Sequence, residues 1–388
     1  MTRTESRFRT VLIWWLVVGV CFVSIPLTQE ASAATAITVK LPTVTAEAVY
    51  SFDATADIEL VSKNADERRS PASTTKIVSA IVVVDNIGDL AQQVTIEAGD
   101  IAPLAPDESR LGVQVGDVLT VRQLLEGMML QSGSDATYAA ARVVGTQLLG
   151  GDDGDPVKAF ISEMNATVKR LKLKNTRFMN PTGIDENKQY SSAYDLAQLA
   201  KYALSNTVIE EIVAQSTIQT VIEGPNRREV TLTNTNALLD GGAIHGVKTG
   251  STSEAGACLV LAKWENDTNR VITVVLGSAL SYDDQGFISE DKRWDDTEAI
   301  LGAVEAGVRW ISPADERVVP GLVRELAAWQ VALKTETSIV VPADDVKALQ
   351  YLLQLGPGGE ANSEVGRVLF FIGSEQIAQV PVYQMPIA

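Results

Sequence analysis

Pro71-Ala72-Ser73-Thr74-Thr75-Lys76 is the stretch on which the reading of this chain turns. It sets a hydroxyl and an amine three residues apart at what reads as the start of a helix. Ser70 suits the N-cap and Pro71 the first helical position, where its missing N–H costs nothing. Ile77 through Val84 is apolar almost all round, which predicts a helix buried in a core. On such a helix positions i and i+3 share a face, so the Lys76 amine reaches the Ser73 hydroxyl. Ser73 also falls in the first turn, where backbone N–H groups lack intrahelical partners and can stabilise a developing negative oxygen. A capped helix with a solvated lysine would show the same six letters. Against that, the apolar flank buries Lys76, and a buried amine is costly unless it is paired or has a lowered pKa.

The 388 residues, 46% hydrophobic and 21% charged, have a globular composition and suggest about two or three domains. The first 33 read as a secretory signal: Arg3, Arg7 and Arg9, then an apolar run from Val11 to Leu27, then the small-residue site Ala31-Ser32-Ala33. The alternative is an uncleaved anchor, since the apolar run is near the lower limit for spanning a bilayer. Membrane attachment is expected only through that segment, because the C-terminal tail cannot form a basic amphipathic helix. Removing three Arg and two Glu with the signal leaves 29 basic and 47 acidic residues, a net charge of −18. That excess disfavours nucleic acid and anionic lipid as partners. Cys258 is then the single cysteine, so no intramolecular disulfide forms. It reads as a small core hydrophobe, and no cysteine–histidine metal site is available.

Residues 48–62 read as a hairpin ahead of the Ser73 helix. Leu124, Leu125, Met128 and Met129 space as one face of a helix, and an alanine-rich helix starts near Asp135. Further helices are expected at about 155–173 and 192–204. From 216 the period changes to two. Ile218 to Val221, Val230 to Leu232, and the runs 256–264 and 270–278 read as adjacent antiparallel strands. A helix with Ile300, Leu301, Val304 and Val308 on one face closes this part. Strands at both ends of a helical middle imply one domain whose sheet uses both chain ends. Ser312-Pro313 reads as its boundary, giving a signal at 1–33, a main domain at 34–312 and a small β-rich domain of five or so short strands at 313–388.

Two later stretches bear on Ser73. Ser132-Gly133-Ser134 presents two hydroxyls from a turn between helices. Lys248-Thr249-Gly250 sets an amine and a hydroxyl on a strand edge, before a glycine that leaves room for a ligand. Each has a plain alternative, a glycine helix cap and a solubilising edge lysine. Taken together they form the ordered set S-x-x-K, S-x-S, K-T-G. With Phe178-Met179-Asn180-Pro181-Thr182-Gly183, Tyr190 to Ala197, and Asn234-Thr235-Asn236, the chain resembles the D-alanyl-D-alanine carboxypeptidases among the low-molecular-mass penicillin-binding proteins. The likeness covers residues 40–310. It implies an α+β fold of the serine β-lactamase/DD-peptidase type: an antiparallel sheet flanked by helices, a helical subdomain, then the β-rich C-terminal domain.

The resemblance implies acyl transfer without a cofactor or metal, extracytoplasmic, on peptidoglycan stem peptides ending in D-Ala-D-Ala, with β-lactams as inhibitors. Ser73 is then the nucleophile, Lys76 its base, and Ser132 the proton relay. Lys248, Thr249 and Gly250 belong to the substrate site, and the Ser251 N–H to the oxyanion hole. Ser134 stands where the family usually has Asn, sometimes Cys, and serine is expected to weaken the hold on the substrate's peptide. A Ser-His-Asp hydrolase would need His245, which strict strand alternation turns away from Lys248. A class A β-lactamase would need a Glu-x-x-x-Asn loop, which is not at Asn180 to Tyr190. A DD-endopeptidase, or a catalytically weak homologue acting as a cell-wall ligand or scaffold, completes the alternatives.

Overall fold

The runs 256–264 and 270–278 become central strands because each of their faces is covered by a different core. The computed structural model describes residue 37 and residues 39–386, apart from 107, 335 and 336. The signal at 1–33, its cleavage site and the expected new terminus at Ala34 lie outside the described residues. Strands β1 (Ala48–Asp53), β2 (Ile58–Lys63), β3 (Ile244–Thr252), β4 (Gly256–Trp264) and β5 (Arg270–Ser278) form one sheet in the order β2-β1-β5-β4-β3, every pairing antiparallel. The N-terminal hairpin thus lies beside strands some 220 residues later, Ala48 opposite Leu276 and Asp53 opposite Val271.

Val260, Ala262, Ile272 and Val274 face the larger core, which they share with the helices. Leu259, Leu261, Val271 and Val275 face a second core with Ile300, Leu301 and Val304. Each such aliphatic side chain contributes about 1.5–3 kcal/mol on full burial. Burial on both sides accounts for runs that are apolar at successive positions.

The helices are α1 (Lys76–Asn86), α2 (Val121–Met129), α3 (Ser134–Leu149), α4 (Pro156–Arg170), α5 (Ala193–Ala203), α6 (Thr207–Val213) and α7 (Arg293–Gly307). Lys76 through Val83 are all buried, because α2, α3, α4 and α5 pack around α1 and the sheet's larger core continues beneath it. Helix starts follow local chemistry. Thr120 and Gln123 form a capping box on α2, Asp155 caps α4 ahead of Pro156, and Ser192 accepts from the Asp195 N–H at α5. α7 covers the opposite face of the sheet.

Four expectations need correction, and two helices were not expected at all. Val308 does not lie on the face of α7, which ends at Gly307; it opens the strand Val308–Ile311. Pro71 does not open an α-helix: Ala72–Thr75 is a 3-10 turn and α1 begins at Lys76. Ser70 is not its cap, since its hydroxyl bonds Asp185 at 2.6 Å. Thr217–Ile222 and Arg228–Thr233 pair only with each other, as a ribbon apart from the main sheet. Helices Thr207–Val213 and Leu322–Ala328 were not foreseen, being too short for periodicity to reveal. Among the described residues no helix is long and apolar enough to cross a membrane.

Beyond residue 312 five strands appear. Val331–Ala332, Glu375–Gln384, Glu364–Ile372 and Leu349–Leu355 make a four-stranded sheet, and Ile339–Pro342 pairs with Val308–Ile311 from before Ser312. A third core, including Leu322, Val341, Val368 and Phe370, fills this region. It is tied to the main sheet through Val340, which joins the second core, and through the Trp310 indole N–H, which bonds the Asp53 carboxylate at 2.6 Å. The described residues form one compact unit.

Candidate active site

Ala72 has a left-handed backbone, φ +45°, a conformation that costs a residue with a Cβ about 1–2 kcal/mol. It turns the chain into the 3-10 segment, where Ala72, Thr74 and Thr75 are buried and Ser73 alone keeps partial exposure. Two backbones hold that turn. Gly183, φ +93°, rests on the Ala72 carbonyl, and Gly250 of β3 rests on the other side. A Cβ at Gly250 would stand 2.9 Å from the Ser73 nitrogen and 3.1 Å from that of Thr74. Only glycine lets the strand come so close to the Ser73 N–H. That contact is the reason for the glycine in Lys248-Thr249-Gly250.

Lys76 Nζ donates to Ser73 Oγ at 3.0 Å and to the Thr182 carbonyl at 2.8 Å. Complete burial holds its pKa down to about 7, against smaller opposing effects of the Glu108 and Asp135 charges. A large share of the amine is therefore neutral near pH 7 and can accept a proton. The Thr182 carbonyl is aimed by Asn180, whose side-chain oxygen accepts from the Gly183 N–H at 2.8 Å while its amide donates to the Ile184 carbonyl at 3.0 Å. Gln189 braces the same loop through the Met179 N–H and the Ile184 carbonyl. In sequence this loop carries no evident role; in the fold it orients the lysine.

Ser132, φ +61°, and Ser134 flank Gly133 between α2 and α3. Both hydroxyls are buried and neither has a hydrogen-bond partner among the described residues. Each is thus available to a ligand, since leaving a buried hydroxyl unbonded costs about 1–3 kcal/mol. Among the described residues no hydrogen bond links Ser132 or Ser134 directly to Lys76 or Lys248. The segment is anchored by Asp135, whose carboxylate accepts from the N–H groups of Leu111, Gly112 and Val113 at 2.7, 2.8 and 3.2 Å. Asp135 also places α3 against Lys76, on which its charge acts. On the same helix Tyr138 hydrogen-bonds Thr182, and burial pushes its phenol up to about 12.

Lys248 and Thr249 are buried on β3, the edge strand of the sheet. Lys248 Nζ donates to the Thr249 carbonyl at 3.0 Å, and Thr249 Oγ1 meets Thr235 Oγ1 at 2.6 Å. Burial drives the Lys248 pKa well below its usual value, and the charges of Lys76 and Arg293 lower it further. Arg293 is the residue that sequence reasoning missed. Itself buried, it donates to the Gly250 carbonyl at 2.9 Å, the Cys258 carbonyl at 3.2 Å and Ser251 Oγ at 3.1 Å, while Asp291 balances its charge at 2.8 Å. It supports the β3 strand from beneath. The available signal was an arginine in register with Thr297, Ile300 and Val304, the buried face of α7.

His245 lies elsewhere, but not for the reason given by strict alternation. A bulge at Val247 leaves His245 opposite Ala262 and Lys248 opposite Val260, two residues of the same core. The two side chains therefore share a face. What removes His245 from the chemistry is its surroundings: Trp264 edge-on with ring centres 6.4 Å apart, and Glu210 at 4.0 Å. Cys258 is buried and free, its thiol raised to about 11 by burial. Among the described residues no group of three or more His, Cys, Asp or Glu could hold a metal ion.

Comparison with known proteins gives this geometry its context. A family model described as D-alanyl-D-alanine carboxypeptidase matches residues 35–279. A D-alanyl-D-alanine carboxypeptidase of Streptomyces sp. strain K15 is 39% identical over 260 residues, 65% of this chain and 87% of the relative. The carboxypeptidase DacF of Bacillus subtilis strain 168 is 33% identical over 223 residues, 57% of this chain and 54% of that one. Among solved structures, the Streptomyces K15 DD-transpeptidase superposes with a TM-score of 0.61 at 34% identity, over 69% of this chain and all of that one. Penicillin binding protein 5 from Haemophilus influenzae shares the fold, with a TM-score of 0.66 at 23% identity over 89% of this chain and 98% of that one. With a family model covering well over half of its length, this chain belongs to the D-alanyl-D-alanine carboxypeptidase family of serine peptidases.

Proposed function

We propose that this chain releases the terminal D-alanine from peptidoglycan stem peptides through an ester on Ser73. The observation that carries the reading is the 3.0 Å contact between Ser73 Oγ and a Lys76 amine whose pKa is brought down to about 7. Lys76 takes the hydroxyl proton as Ser73 Oγ bonds to the carbonyl carbon of the penultimate D-alanine. The oxyanion sits between the N–H groups of Ser73 and Ser251. Lys76 then returns that proton by way of the Ser132 hydroxyl to the departing amine as the C–N bond breaks, which leaves Lys76 neutral and Ser132 unchanged. Water then attacks the ester, Lys76 again taking a proton, and Ser73 is regenerated. Lys248 and Thr249 hold the substrate's terminal carboxylate, whose charge stabilises the protonated Lys248 that burial disfavours. Gly250 keeps β3 against the nucleophile, and Ser134 meets the peptide of the substrate.

A β-lactam enters by the same attack, but its leaving group stays tethered and blocks the water step. The chain acts outside the cytoplasm, exported by residues 1–33 and cleaved after Ala33. The reading divides the mature chain into a catalytic part at 34–312 and a β-rich accessory part at 313–388. Intact mass of protein from the cell envelope, before and after brief penicillin exposure, tests these points together. One penicillin mass should be added at Ser73, on a chain beginning at Ala34, and Ser73→Ala should abolish it. Labelling that persists in Ser73→Ala overturns the assignment, and a retained Arg3 to Leu27 segment overturns the cleavage.

A further inference from the structure

In the segment that leads into Ser73, a cleft of about 400 Å³ is lined by Arg68, Arg69, Ser70, Lys188, Tyr190 and Glu254. It joins the catalytic groups through Asp185. One carboxylate oxygen of Asp185 accepts from Ser70 Oγ at 2.6 Å and Thr252 Oγ1 at 2.8 Å, and the other from the Glu254 N–H at 3.3 Å. The segment before the nucleophile and the turn after Lys248-Thr249-Gly250 are thus tied into one wall.

The charges in this cleft are unusual for a chain of net charge −17. Arg69 is committed to Glu47 and Glu67. Arg68 is not committed: its guanidinium stacks on Tyr190, 4.5 Å from the ring centre, and donates only to neutral oxygens of Asn175 and Lys174. Lys188 is exposed, at φ +73°, and forms no ion pair among the described residues. Two cations without carboxylate partners therefore face the cleft, with Glu254 on the β3 side.

Direction follows from the catalytic reading, on which this inference rests. A substrate held with its terminal carboxylate at Lys248 and Thr249, and its scissile carbonyl at Ser251, lies along the β3 edge as an added antiparallel strand. Its preceding residues then extend past Thr252 toward Glu254, at about 3.3 Å per residue, so a long side chain on the residue before the penultimate D-alanine is directed toward the cleft. We propose that Arg68 and Lys188 form a subsite for an ionised carboxylate on the side chain of the residue immediately preceding D-Ala-D-Ala. Arg68 is held in place by its stack on Tyr190, so little side-chain entropy is lost on binding. Glu254, opposite, repels a second anionic group and accepts from peptide N–H groups.

The experiment uses two peptides ending in D-Ala-D-Ala that differ only in whether the preceding side chain ends in a carboxylate or a carboxamide. For each, kcat/KM for D-alanine release and competition against acylation by a fluorescent penicillin are measured. An exposed charge pair is expected to favour the carboxylate by up to about fivefold. That ratio should fall in Arg68→Gln and in Lys188→Gln, approach one in the double variant, and survive in Lys188→Arg. Equal kcat/KM for the two peptides, or a preference that persists in the double variant, overturns the subsite. If neither peptide is hydrolysed while both compete with the penicillin, the carboxypeptidase reading fails and the competition ratio still decides the subsite. If neither competes, the subsite is overturned.

Discussion

Replacing Lys76 by methionine should stabilise the fold while ending its chemistry, and the gain should shrink as pH rises. The amine titrates near 7 in the folded chain, against 10.5 in its ordinary setting. At pH 7 that difference costs the folded state about 4 kcal/mol. Methionine has a similar length and no charge to desolvate, so it removes this cost. It also leaves the Thr182 carbonyl and Ser73 Oγ without the donor now at 2.8 and 3.0 Å, a loss of about 1–3 kcal/mol. The expected net gain at pH 7 is therefore about 1–3 kcal/mol. Its sign with pH follows from proton binding: between about 7 and 10.5 the unfolded lysine holds a proton that the folded one does not. Wild-type stability thus rises with pH through that window, by up to about 1.4 kcal/mol per unit. The methionine variant lacks this rise, while Lys248 titrates in both proteins and cancels to first order. Urea unfolding at pH 7 and pH 9, with slopes checked for equality, should show the gap narrowing by about 2 kcal/mol. A gap that stays constant between those pH values would mean that Lys76 is charged in the fold, and the general-base assignment would fall with it.

The remaining expectations concern the groups around that lysine. Acylation of the wild type by a penicillin should increase with pH through about 7 as Lys76 loses its proton; a rate flat from pH 6 to pH 8 would refute this. Ser134→Asn should raise kcat/KM on a D-Ala-D-Ala peptide. The Ser134 hydroxyl is buried without a partner, and a recovered hydrogen bond is worth about 1–3 kcal/mol, roughly five- to 150-fold. A slower asparagine variant would show the site adapted to serine. Gly250→Ala should slow acylation by about tenfold or more, because its Cβ would stand 2.9 Å from the Ser73 nitrogen and overpacking costs about 1–3 kcal/mol. Unchanged acylation would mean that β3 can retreat without harm to the oxyanion site.

The sequence by itself determined the parts that local chemistry controls. The run from Ile77 to Val84, apolar but for Ser79, points to a helix at the centre of a core, and so to a buried Lys76. The spacing of Ser73 and Lys76 places amine and hydroxyl within a hydrogen bond. The capping residues Thr120, Asp155 and Ser192 mark where helices begin, and the sheet's use of both chain ends follows from where its apolar runs lie. Tertiary structure decided whatever depends on groups distant in the chain. Ser70 reads as a helix cap until Asp185, 115 residues away, takes its hydroxyl. His245 reads as facing away from Lys248 until a bulge, set by pairing with β4, brings both onto one face. The strands at 217–233 have the same alternation as the main sheet, yet pair only with each other, since alternation reports burial of one face and not the identity of the neighbour. Arg293 was invisible for a related reason. A charged residue on a helix reads as solvent-facing, and the carbonyls of Gly250 and Cys258, brought over α7 by the fold, together with the Asp291 carboxylate make its burial tolerable.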